Sequence, residues 1–195
     1  MLWISLPLLF LFSRFVPACR RVLLVAAAGF LGMVLETILI LYYQVKYGVL
    51  YQDIGLLLTS FMAGLALGAM SIDRLMARFV NRPRLIRWYP VALLVGFCFL
   101  CVVTATRMTM SAATGLLQTS VLLMAAGFLV AGIFAYASLY EIEDQRNVIS
   151  PLYAADLLGG SVGSLLGSLI LIPMLGLDVT TRGMLLFAAF SLLLV

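Results

Sequence analysis

Apolar residues fall into six long runs separated by short polar connections: residues 22–43, 54–72, 88–106, 116–140, 152–174 and 183–195. Most approach the roughly 20 residues a helix needs to cross a hydrocarbon core. None alternates in the manner of a half-buried strand. The pattern predicts an all-α, polytopic membrane bundle of about six transmembrane helices. The last run, after Arg182, is short of a full crossing, so either that helix is truncated or the native chain continues. The opening MLWISLPLLFLF has no basic residue before its apolar run and no clear small-residue cleavage site after it. It reads as a partial or short extra N-terminal helix, or an interfacial segment, and not as a signal peptide. Two regions follow: an N-terminal apolar segment with a basic inner boundary, 1–21, and a six-helix membrane domain, 22–195.

Within the fifth run the sequence SPLYAADLLGGSVGSLLGSLILIP carries a ladder of small residues. Ser150 is a suitable N-cap and Pro151 suits the first helical position, where a missing N–H costs nothing. Gly159, Gly163 and Gly167 recur every fourth residue, and Gly160, Ser164 and Ser168 repeat the pattern one step round. Such stripes let a neighbouring helix approach closely, which is what holds helices together in lipid. Gly64 and Gly68 in the second run, Ala28 and Gly32 in the first, and Gly127 and Ala131 in the fourth extend this to a tightly packed bundle. There is no tandem repeat with a period of roughly 20–50 residues.

Composition sharpens the picture. The chain is 65% hydrophobic and 10% charged, against about 25% charged in soluble domains, which excludes an ordinary globular enzyme. Its net charge of +4 is no nucleic-acid signature, because the basic residues segregate by side. Arg14, Arg20, Arg21, Arg74, Arg78, Arg82, Arg84, Arg87 and Arg146 fall on one side, and Lys46, Arg107 and Arg182 on the other. This bias places the 73–87 loop in the cytoplasm and the 44–53 loop outside. Tyr42, Tyr43, Tyr47 and Tyr51 then form an outer aromatic belt, with Trp88 and Tyr89 at the inner one. Without a histidine, the commonest acid–base residue and metal ligand is missing, and neither a cofactor nor a metal site is expected. Cys98 and Cys101 form a C-x-x-C inside the apolar run GFCFLCVV, where packing thiols are the better reading.

Few charged residues fall inside the runs. Glu36 lies a little past the middle of the first, towards the outer face. A carboxylate at such a position is a default candidate for proton or cation handling; the competing reading is a hydrogen-bonded lock between two helices. Asp156 lies about a turn inside the cytoplasmic boundary, well over about 10 Å from Glu36 in depth. Its natural partner is Arg74 or Arg78, in a structural or gating clamp. Asp73, Arg74 and Arg78 could form a charge network in the inner loop. Asp53 directly precedes the second run, where it can offset the helix N-terminus.

Three stretches together resemble a known family: GFLGMVLETILILYYQVKYGVLYQDIGLLLTSFMAGLALGA, the arginine loop after it, and LYAADLLGGSVGSLLGSLILIPMLG. They are similar to the membrane-integral part of bacterial spermidine synthase-like proteins, the fused major facilitator/spermidine synthase proteins, and in particular to its second six-helix half. The resemblance covers residues 29–176. It implies one half of a major facilitator fold in a bacterial inner membrane, with Glu36, Tyr51, Asp156 and Gly159 at recurrent family positions. It does not carry over aminopropyl transfer, since no segment supplies a soluble, Gly-rich cofactor loop.

Two functions are therefore expected. The preferred one is a non-catalytic accessory or structural subunit that docks, in the bilayer, against other membrane subunits. The alternative is half of a transporter that moves a polyamine-like cation or protons past Glu36, paired with itself or with another six-helix half. An integral-membrane enzyme is a distant third.

Overall fold

The computed structural model describes residues 17–48, 51–79, 83–109, 115–139 and 145–192. The expectations for the N-terminal segment up to residue 16, and for the side chains of Asp73 and Arg78, lie outside the described residues. The architecture is all helical: α1 (Pro17–Tyr47), α2 (Tyr51–Phe79), α3 (Pro83–Thr109), α4 (Leu116–Leu139), α5 (Gln145–Leu166) and α6 (Ile172–Ser191), with a π-helical turn, Gly167–Leu171, joining the last two. No strand occurs among the described residues. Among the described residues, five stretches are long and apolar enough to cross a membrane, the last being Ser150–Ser191.

That last stretch has 42 residues and would reach about 63 Å if straight, twice a hydrocarbon core of about 30 Å. It is not straight. Gly176 has φ 80° and ψ 167°, a conformation essentially closed to residues with a Cβ. Beyond it the chain turns back, so that Thr180 Oγ1 donates to the carbonyls of Leu171 (3.1 Å) and Gly176 (2.7 Å). In a continuous helix Leu171 and Thr180 would lie about 13 Å apart. The sixth apolar segment therefore begins at this elbow and not at residue 183, and Asp178 and Arg182 stand inside its first turns as an i,i+4 ion pair (2.9 Å). The other expected boundary to fall is the start of α5. Ser150 is no N-cap: the helix is already formed at Gln145, and Pro151 lies within it.

The helices pack in two parallel pairs. α2 lies along α4, and α1 lies along α5, with the most extensive contacts in the molecule. A Cβ at Gly64 would overlap the backbone of Met124, and one at Gly68 would sit 2.5 Å from the Phe128 carbonyl oxygen. On the other pair, a Cβ at Gly159 would overlap the backbone of Ala26, and one at Gly163 would sit 2.7 Å from the Phe30 carbonyl oxygen. In return, Gly127 faces the Phe61 carbonyl and the Leu65 amide, and Gly29 faces the Asp156 carbonyl and the Gly160 amide. The two seams are copies of one another, residue for residue.

The same correspondence runs through the whole bundle. Helices α1, α2 and α3 occupy the roles of α4, α5 and α6, and α1 crosses α4 where Gly32 meets Val130, each the counterpart of the other. Thr104 on α3 and Ser191 on α6 are both buried, and each donates to the carbonyl four residues earlier (2.8 and 2.9 Å). The glycine contacts progress antiparallel between α3 and α4 (Gly96 against Leu129, Gly132 against Leu93), so the second three-helix unit is inverted relative to the first. The sequence expectation of no repeat concerned short periods; the repeat is a three-helix unit.

Candidate carboxylate site between α1 and α5

Glu36 is 7% exposed, and among the described residues no hydrogen bond or ion pair reaches it. It stands one turn past Gly32, which faces Val130 on α4, and two turns past Gly29, which faces α5. At 100° per residue these positions span a narrow arc, so Glu36 points into the crevice where α1 meets α4 and α5. Thr37, its neighbour, already donates to the Met33 carbonyl (2.8 Å). Ser168, exposed on the π-helical turn, donates to the Ser164 carbonyl (2.6 Å).

Asp156 enters the same seam from α5. A Cβ on Gly29 would lie 2.8 Å from both its carbonyl oxygen and its Oδ1, so the carboxylate uses the space that a side chain at position 29 would fill. Glu36 is seven residues beyond Gly29, about 10 Å along α1, a smaller separation than the sequence suggests but too far for direct contact. Asp156 is half-buried, and no ion pair among the described residues involves it. The expected clamp with Arg74 does not form: Arg74 is exposed on α2, a helix that packs chiefly against α4 while α5 packs against α1. Burial without a partner, not pairing, is the environment of both acids.

The repeat supplies a comparison inside the molecule. The counterpart of Asp156 in the α2–α4 seam is Phe61, and that of Glu36 on α4 is Phe134. Phe61 thus stands in the α2–α4 seam where Asp156 stands in the α1–α5 seam, while Phe134 packs beside Val25, Ala137 and Leu152 of α1, α4 and α5. No family model, curated protein or solved structure matches the chain. The internal copy is therefore the reference against which the acids stand out.

The remaining expected residues fall into place as packing. Gly64, Gly68, Gly159 and Gly163 each face the backbone of the partner helix, while a Cβ on Gly160 would lie 3.2 Å from Met33 Cγ and one on Gly167 3.5 Å from Val34. No cluster of three or more His, Cys, Asp or Glu side chains that could hold a metal is found among the described residues. Nothing in the sequence signalled the hairpin bond between α1 and α2, in which the Tyr43 hydroxyl donates to Asp53 Oδ2 at 2.7 Å, or the Asp178–Arg182 pair. An apolar groove of about 410 Å³ between α2, α3 and α4 is lined by Leu67, Phe99, Val103 and Phe128. At the counterpart position in the second unit Phe187 lies against Phe30, the rings tilted by 45° with centroids 5.1 Å apart.

Proposed function

We propose that this chain is one six-helix half of an inner-membrane transporter of the major facilitator type, in which Glu36 binds the transported or coupling cation. The observation that carries this reading is the twin seam. An acid needed only to hold helices together would be needed in both copies, and the second three-helix unit has phenylalanine, Phe61 and Phe134, at the equivalent positions. A carboxylate retained at a cost in lipid, without a structural task, is a functional group by default. Two inverted three-helix units within one half are also the construction of major facilitator halves, whose pathway runs between two halves. The second half then comes from another copy or from a partner subunit. Glu36→Gln, assayed for uptake in membrane vesicles, should abolish transport; an unchanged rate would refute the proposal.

A second reading, the accessory subunit, rests on a different observation. The faces of α2 and α5 turned away from the seams expose Met62, Leu67, Leu157, Leu158 and Leu165, a surface suited to lipid or to another membrane protein. Purification in mild detergent separates the two. A six-helix partner or a second copy favours the transporter, and an unrelated catalytic subunit favours the accessory role.

A further inference from the structure

We propose that the apolar groove between α2, α3 and α4 binds an anionic phospholipid, its acyl chain in the groove and its phosphate on Arg107. This does not depend on what Glu36 does. The groove's volume of about 410 Å³ falls within the roughly 300–1,000 Å³ of small-ligand sites. Every residue lining it is apolar or glycine, and all belong to the spans Tyr51–Ile72, Trp88–Arg107 and Leu116–Ser138. Phe99 and Val121, both exposed, stand at its rim. The internal repeat accounts for the space. Thr104 and Ser191 are counterparts, and each bonds to the carbonyl four residues earlier, of Leu100 and of Phe187. In the second unit the Phe187 ring lies against Phe30. In the first, the smaller Leu100 takes that place beside Phe128, and both line the groove.

The groove has a polar end. At about 100° per residue, Gly96, Leu100, Val103 and Arg107 share one face of α3, so Arg107 extends the groove's wall by a turn. The antiparallel register, Gly96 against Leu129 and Gly132 against Leu93, brings Arg107 level with Gln118, one turn before Val121 on α4. Arg107 closes its span and Gln118 is near the start of its own, the depth at which headgroups lie. Of the three outer basic residues, Lys46 lies over the Tyr42 ring (5.6 Å) and Arg182 is paired with Asp178 (2.9 Å). Arg107 is half-buried, and among the described residues no ion pair reaches it. A guanidinium matches two phosphate oxygens at once, and the Gln118 amide adds donors. Neither α3 nor α4 contains an acid, so a headgroup amine would find no partner there, which selects an anionic headgroup over a zwitterionic one. An apolar side chain from a partner helix could fill the groove but would leave the Arg107 charge uncompensated.

The test uses the full chain, with whatever co-purifies, stripped of lipid in mild detergent. It is titrated with phosphatidylglycerol or with phosphatidylcholine of the same acyl chains, and bound lipid is counted by native mass spectrometry. One phosphatidylglycerol should bind per chain in preference to phosphatidylcholine. Arg107→Gln should weaken its binding at least about tenfold and erase the preference. Leu100→Phe, which copies the ring of the second unit, should weaken both lipids. Should that variant unfold at a lower temperature, Val121→Trp fills the groove from the exposed rim without entering the core. Lys46→Gln, on α1, should leave binding unchanged. Wild-type affinity in Arg107→Gln, or in both filling variants, would overturn the proposal. So would equal binding of the two lipids that no variant alters, the mark of an unspecific lipid layer. A photo-crosslinker at position 99 that captures a polypeptide and not phosphatidylglycerol would show a protein interface and overturn it as well.

Discussion

At Gly64 and Gly159 the neighbouring backbone occupies the space a methyl group would need, and a backbone carbonyl cannot rotate away as a side-chain tip can. Gly64→Ala and Gly159→Ala should therefore each destabilise the bundle by about 1–3 kcal/mol, the usual cost of overpacking. Gly55, with nothing within 4 Å of a built Cβ, provides the control: Gly55→Ala should be neutral or mildly stabilising, because alanine is the better helix former. Thermal unfolding in one detergent would compare all three. Tyr43 offers a second residue-scale test. Its hydroxyl bond to Asp53 ties α1 to the first turn of α2, so Tyr43→Phe should cost about 1 kcal/mol in the same assay.

Among the elements, the elbow at Gly176 within α6 depends on a single backbone conformation. Gly176→Ala forces a Cβ into φ 80° and should cost about 1–3 kcal/mol. Thr180→Val, which removes the hydroxyl bridging Leu171 and Gly176, should cost about 1 kcal/mol. The elbow was hard to read in the sequence because its glycine sits in the run PMLGLDV, where apolar residues continue on both sides. The following Asp178 and Arg182 look like loop charges until their four-residue spacing is placed on a helix. The start of α5 misled for the opposite reason: Ser150-Pro151 has the chemistry of a helix start, yet a proline is also tolerated inside a span when neighbouring helices support the backbone.

For the molecule as a whole, the apolar runs made the helices legible and the four-residue glycine spacing made close packing legible. Which stripe meets which helix was not, because it depends on contacts far apart in sequence. The internal repeat left only a faint trace, the pentapeptide AAGFL at 27–31 and again at 125–129. Outside the seams any apolar side chain serves against lipid, so the two copies were free to diverge there; within them the small residues at Gly29 and Gly127, Gly64 and Gly159, and Gly68 and Gly163 persist. Glu36 and Asp156 stood out in the sequence as isolated charges, but only the fold reveals the internal repeat in which Phe61 and Phe134 hold the equivalent positions.

The most direct measurement is the stability of the double variant Glu36→Met with Asp156→Leu, near-isosteric and apolar, by thermal unfolding in mild detergent beside Gly159→Ala. With the acids present for chemistry and the glycines for cohesion, the double variant should unfold at or above the wild-type temperature, since replacing buried polar groups by apolar ones of similar shape is neutral or favourable, while Gly159→Ala unfolds lower. A loss in the double variant as large as that of Gly159→Ala would show that the carboxylates bind the helices together, and would contradict the account.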